Sequence, residues 1–117
     1  LAACWDRKFR IWAYSVSHST LLLRSVDGNE APSRIDVAFF GVRALHLQDE
    51  YEDLSIEKAE DVFVDGVLTP VTAAGEPLVR YLVNGGPDYV LATSVAWEED
   101  SGDHRSPSRF GPLRGTP

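Results

Sequence analysis

The chain has 117 residues and a formal net charge of -7, with 44% hydrophobic and 25% charged residues. That length fits one domain burying roughly two-thirds of the surface its unfolded chain exposes, and no apolar run approaches the ~18 residues that span a bilayer. An acidic domain repels nucleic-acid backbones and anionic membrane surfaces and attracts basic partners, so nucleic acid and membrane are both disfavoured as partners.

The opening tetrapeptide Leu1-Ala2-Ala3-Cys4 has the form of a bacterial lipobox, in which the cysteine is lipidated. Such tetrapeptides are common by chance, and no charged and apolar signal segment stands before this one. Cys4 is the single cysteine, so no internal disulfide forms and the cytoplasm is the expected compartment. From Phe9 to Val16 the residues are β-favouring, with large side chains on both parities, which predicts a strand. Ser17-His18-Ser19 interrupts it, and Thr20 to Val26 resumes the apolar run as the second arm of a hairpin.

Asp27-Gly28-Asn29 signals a turn, and a third strand is expected from Arg34. The run Ile35 to Leu47 is the segment around which the rest is organised. Ile35, Val37 and Phe39 share one face and Asp36, Ala38 and Phe40 the other, a composition suited to burial on both. Gly41 breaks the run, so a bulge, a bend or a close backbone approach is expected there, with Val42 to Leu47 leaving in another direction. Gln48 to Asp53 reads as an acidic loop carrying Tyr51. Short strands follow at Leu54 to Glu57 and Val62 to Val64, with a weak helical alternative at Ile56 to Asp61. Leu78 to Val83 and Tyr89 to Trp97 flank Asn84-Gly85-Gly86-Pro87-Asp88, the clearest hairpin in the chain. After Trp97 the composition changes to acids and then to a tail rich in Pro, Gly and Arg. Phe110 and Leu113 are its large apolar anchors, and Arg105, Arg109 and Arg114 have the charge to approach the acidic Gln48 to Asp65 stretch. The expected architecture is mainly β: one antiparallel sandwich or open barrel of about seven to eight strands over residues 1–98, followed by a tail at 99–117.

The segments Ser17 to Ser25 and Arg34 to Leu45 resemble a family of small β-rich bacterial proteins of uncharacterised function, found mainly in high-GC Gram-positive bacteria. The resemblance covers the first half of the chain and implies no activity or catalytic residues.

Charge is concentrated rather than spread. Between Gln48 and Asp65 lie eight acids opposed by Lys58 alone, whereas the rest of the chain balances ten acids against ten bases. Asp49, Glu50, Glu52 and Asp53 are therefore the leading candidate binding residues. Trp12 and Tyr14 join them if they lie on an exposed strand face; filling the core is the expected role of the large aromatics, Trp5 and Trp97 included. His18, His46 and His104 have no second ligand at metal spacing, and the acids lack the order of a calcium loop, so neither metal nor other cofactor is expected. Ser17-His18-Ser19 lacks the surroundings of a nucleophilic site and reads as turn chemistry. These features favour a non-enzymatic, acidic protein-binding module with a basic or identical partner, in one version an immunity-type inhibitor covering a basic toxin. The alternative is a small hydrolase or metal-dependent enzyme using His18 or His46 with nearby acids.

Overall fold

A computed structural model of the protein describes residues 2–25, 33–59, 63–64, 67–68 and 78–100. Regular structure among them is entirely strand: β1 Ala2–Trp5, β2 Phe9–Ser15, β3 Thr20–Ser25, β4 Arg34–Phe40, β5 Ala44–His46, β6 Glu50–Tyr51, β7 Leu54–Lys58, β8 Phe63–Val64, β9 Val67–Leu68, β10 Val79–Val83, β11 Tyr89–Ala92 and β12 Ser94–Asp100. The readings placed on Asp27 to Asn29, on Glu60, Asp61 and Asp65, on His104 and on the docking of the tail lie outside the described residues. Ile56 to Lys58, in the stretch with the helical alternative, belong to β7.

Ten of these strands form two antiparallel five-stranded sheets, in the orders β1-β7-β10-β11-β5 and β12-β4-β3-β2-β6, while β8 and β9 pair with each other. The mainly β sandwich is thus realised. Its strands are shorter and more numerous than seven or eight because several runs pass from one sheet to the other and are divided where they cross.

Gly41 marks one such crossing. β4 lies in the second sheet beside β12, β5 in the first beside β11, and the same two ribbons turn the corner together. Between the pairs Phe40↔Ser94 and Ala44↔Leu91 stand three residues on one side, Gly41, Val42 and Arg43, against two on the other, Ala92 and Thr93. That surplus residue is a bulge, and it bends the ribbon as bulges do. Gly41 has φ +66, and a Cβ there would stand 2.5 Å from the Thr93 Oγ1 and 2.8 Å from its Cγ2. Thr93 fills the corner from the other side, its Oγ1 donating to the Phe40 carbonyl at 2.8 Å and its N–H to the same oxygen at 2.9 Å.

A second corner repeats the construction. β1 continues into β2 and β6 into β7, so that Asp6, Arg7 and Lys8 stand against Glu52 and Asp53 between the pairs Trp5↔Leu54 and Phe9↔Tyr51. Here too three residues oppose two.

The core lies between the sheets and includes Phe9, Leu21, Leu23, Ile35, Val37, Phe39, Leu54, Ile56, Tyr81, Val83 and Val90. Trp5 packs against it and meets Trp97 edge-on with ring centroids 5.5 Å apart. β3 and β4 are buried on their other face as well, through Thr20, Leu22, Arg24, Arg34, Asp36 and Ala38. The run around which the chain was expected to organise is therefore two-sided. On that second face Arg24 and Asp36, directly opposite in register, form a two-pronged ion pair, Nε to Oδ1 at 2.7 Å and Nη2 to Oδ2 at 3.1 Å.

Candidate functional site

The acidic stretch is held as a frame. Ile11 N–H donates to the Asp49 carbonyl at 2.9 Å, which extends the β2–β6 ladder by one bond. Tyr51, buried on β6, accepts from Gln48 N–H at 2.8 Å and donates to Asp88 Oδ2 at 2.6 Å. Asn84, at φ 51 in the β10–β11 turn, gives its Nδ2 to the Asp53 carbonyl at 3.1 Å and takes the Ser55 N–H on its Oδ1 at 2.6 Å. An asparagine suits this position because its short polar side chain tolerates the left-handed region and bonds nearby backbone. Backbone groups of residues 48–55 are thereby tied to β2, to Tyr51 and to Asn84, and the Tyr51 hydroxyl to Asp88.

Their carboxylates point elsewhere. Asp49, Glu52 and Asp53 are exposed and Glu50 is half-buried. Lys8 is the counter-charge, its Nζ 3.6 Å from Glu50 and 3.9 Å from Glu52. Among the described residues no group of three or more His, Cys, Asp or Glu side chains is gathered so as to hold a metal ion.

Trp12 and Tyr14 lie on β2, the strand beside β6, and are 37% and 38% exposed. They depart from the expected core role, as does Trp97 at 37%. The reason for Trp12 is local: the β2–β3 register shifts between Ile11 and Ala13, and Trp12 is the residue left over. Its ring covers the Arg24 guanidinium, 5.0 Å from the centroid, on the face carrying the buried ion pair. Structure therefore places Glu50 on β6 and Asp49, Glu52 and Asp53 in the residues flanking it, with the two aromatics on the adjoining β2, at one edge of the second sheet.

The histidines separate. His18 is exposed in the Val16 to Ser19 turn, where Thr20 Oγ1 donates to its carbonyl at 3.1 Å and Ser19 takes φ 50. The hydroxyl that bonds the turn backbone is that of Thr20, the residue after Ser17-His18-Ser19. His46 on the edge strand β5 stacks on Tyr89 and places Nδ1 3.1 Å from Asp88 Oδ1. The imidazole tautomer sets which of the two groups donates in this bond. Asp88 is buried while the His46 side chain is 67% exposed. Burial, and then the hydrogen bond to Asp88, push the Tyr51 phenol up to about 12 against a backbone bond from Gln48 that lowers it.

Sequence reasoning missed Asp88 as the centre of this network. It stands 42 residues from His46 and 37 from Tyr51; the first contact comes from the pairing of β5 with β11, the second from β6 in the other sheet. The turn signal at Asn84 to Asp88 was visible, and a hydrogen-bonding acid closing that turn was the available hint.

A cleft of about 410 Å³ opens at the second corner, lined by Cys4, Trp5, Asp6, Asp53, Leu54 and Ser55 together with Asn84. Compared with family models, curated proteins and solved structures, the chain matches none. No helix among the described residues is long and apolar enough to cross a membrane.

Proposed function

We propose that this protein is a non-enzymatic binding module for a basic protein partner, with Asp49, Glu50, Glu52 and Asp53 as its electrostatic surface and Trp12 and Tyr14 beside it. The observation that supports this reading most is the contrast between a fixed backbone and outward carboxylates over residues 48–55. A rigid display loses little ordering entropy on association, and complementary charge speeds and orients the encounter. Exposed aromatics on the neighbouring strand supply the apolar contact that acids alone lack. An immunity-type inhibitor of a basic toxin is one form of this function, in the cytoplasm, and self-association into a dimer is a second partner class. The test is affinity capture from the source organism's lysate with the native protein beside an Asp49→Asn/Glu50→Gln/Glu52→Gln/Asp53→Asn variant, followed by titration of the captured partner across salt. A stoichiometric basic partner lost in the variant is the expected result. Binding and salt dependence unchanged by the four substitutions would refute it.

The His46 to Asp88 hydrogen bond favours a second reading, in which an oriented imidazole transfers protons in a small hydrolase. Its exposure argues against a water-excluded reaction site. Turnover of ester or phosphoester substrates that vanishes in His46→Gln would establish this reading over the first.

A further inference from the structure

The two corners of the sandwich are built alike and finished differently. Each sets three residues against two where a ribbon changes sheets. The Gly41 corner is plugged: Thr93 packs so closely that not even a Cβ fits. The Asp6 corner carries the cleft instead. Five residues make this corner and all are charged. Arg7 is engaged with the Ser33 carbonyl at 3.1 Å and with Glu99 at 3.3 Å, while Lys8 lies between Glu50 and Glu52. The two left over are Asp6 and Asp53. Among the described residues neither carboxylate has a hydrogen bond or ion pair, and both line the cleft, one step beyond the last pair of the β1–β7 ladder, Trp5↔Leu54.

Both carboxylates are solvent-exposed and face the same opening, so a cation entering it meets two negative charges at once. The Trp5 indole and Leu54 line the same cleft and supply an aromatic and an apolar wall. An indole beside two carboxylates suits a planar guanidinium, which stacks on the ring and bonds the acids at once. A volume of about 410 Å³ also falls within the ~300–1,000 Å³ range of ligand pockets.

We propose that this cleft is a receptor for one arginine side chain of the partner, with Trp5 as the stacking surface and Asp6 and Asp53 as the charge. The inference rests on the binding-module reading and gives it an anchor: the exposed rim attracts a basic protein, and the cleft fixes its register. Cys4 makes the site measurable, because it is the chain's single cysteine, is exposed, and lines the cleft.

The experiment follows alkylation of Cys4 by iodoacetamide, read by mass, in the full chain with N-acetyl-arginine amide as the probe. N-acetyl-norleucine amide, sodium chloride and magnesium chloride at matched concentration serve as controls. The arginine probe is expected to slow alkylation, and Asp6→Asn to raise the concentration needed by about tenfold, the loss of one charge-assisted contact. Asp6 is exposed, so this variant retains the fold, which circular dichroism verifies. Equal protection by the norleucine probe would reduce the cleft to an apolar groove, and protection by magnesium would make it a metal site; either overturns the proposal. So does protection that survives Asp6→Asn unchanged, or that falls equally in Asp49→Asn/Glu50→Gln/Glu52→Gln, which leaves both cleft acids in place. The two failures are separable, since the rim reading fails by partner capture insensitive to the rim acids, whatever the small probe does at Cys4.

Discussion

Replacing Gly41 by alanine isolates what the plugged corner costs and what it supplies. Two penalties apply. An L-residue at φ +66 loses roughly 1–2 kcal/mol to the left-handed conformation. Overpacking typically adds about 1–3 kcal/mol, because the new methyl would stand 2.5 Å from Thr93 Oγ1 and 2.8 Å from Cγ2. Gly41→Ala is therefore expected to cost about 2–5 kcal/mol, a large part of the ~5–15 kcal/mol that holds a typical domain folded. Thr93→Ala removes both clashing atoms but leaves the Thr93 N–H on the Phe40 carbonyl, so alone it costs only about 1 kcal/mol for the lost hydroxyl bond. The double variant should then recover the steric share and retain the conformational one, giving a favourable coupling of about 1–3 kcal/mol. Urea unfolding of the four proteins, followed by far-ultraviolet circular dichroism, measures each value. Additive effects would refute the close approach, and a neutral Gly41→Ala would refute the corner itself.

Asp36→Ala leaves the Arg24 guanidinium, 2% exposed, without its carboxylate and should cost about 3–5 kcal/mol, lowering the melting temperature by about 12–20 °C at about 4 °C per kcal/mol; a loss under about 1 kcal/mol would show the pair is solvated. The Tyr51 phenol is raised from 10.0 to about 12, so the stability it contributes is intact below pH 10 and is lost as the pH rises from about 10 through 12. Two units correspond to about 2–3 kcal/mol, and Tyr51→Phe should flatten that alkaline limb in urea titrations while weakening the fold near neutrality through loss of the Asp88 bond. Asn84→Gly keeps the φ 51 geometry and deletes both side-chain bonds, so it should cost about 1–2 kcal/mol and raise hydrogen exchange at the Ser55 amide; unchanged exchange there would count against Asn84 as the clamp.

Strands and turns were legible where chemistry was local. The alternation through Ile35 to Phe40, the hairpin around Asn84-Gly85-Gly86 and the change of direction at Gly41 could all be read from the residues alone. Pairings could not. β1 was missed because Ala2-Ala3-Cys4-Trp5 has little β preference of its own and becomes a strand by pairing with Leu54 to Glu57. Tyr89 to Trp97 read as one strand because Thr93 is itself β-favouring, and the run is divided there by its passage from the first sheet to the second. The acids Asp49 to Asp53 were visible as charge, but their anchoring by Tyr51, Asp88 and Asn84 arises from contacts across the fold.

The same distinction explains why the cleft was invisible. Asp6 carries no signal of its own in the sequence, and Asp53 reads as the last member of an acidic loop. Their conjunction follows from the ribbon of β1–β2 turning the corner together with β6–β7, at a point where the ladder lacks room to pair three residues with two. A bulge of this kind must be filled, bonded or left open. At Gly41 the fold fills it with a threonine. At Asp6 it ties down Arg7, Lys8 and Glu52 with ion pairs and leaves two like charges facing an indole-lined opening. Both carboxylates face an opening next to the acids at 49–53, the place where the proposed arginine would meet charge that the corner leaves unpaired.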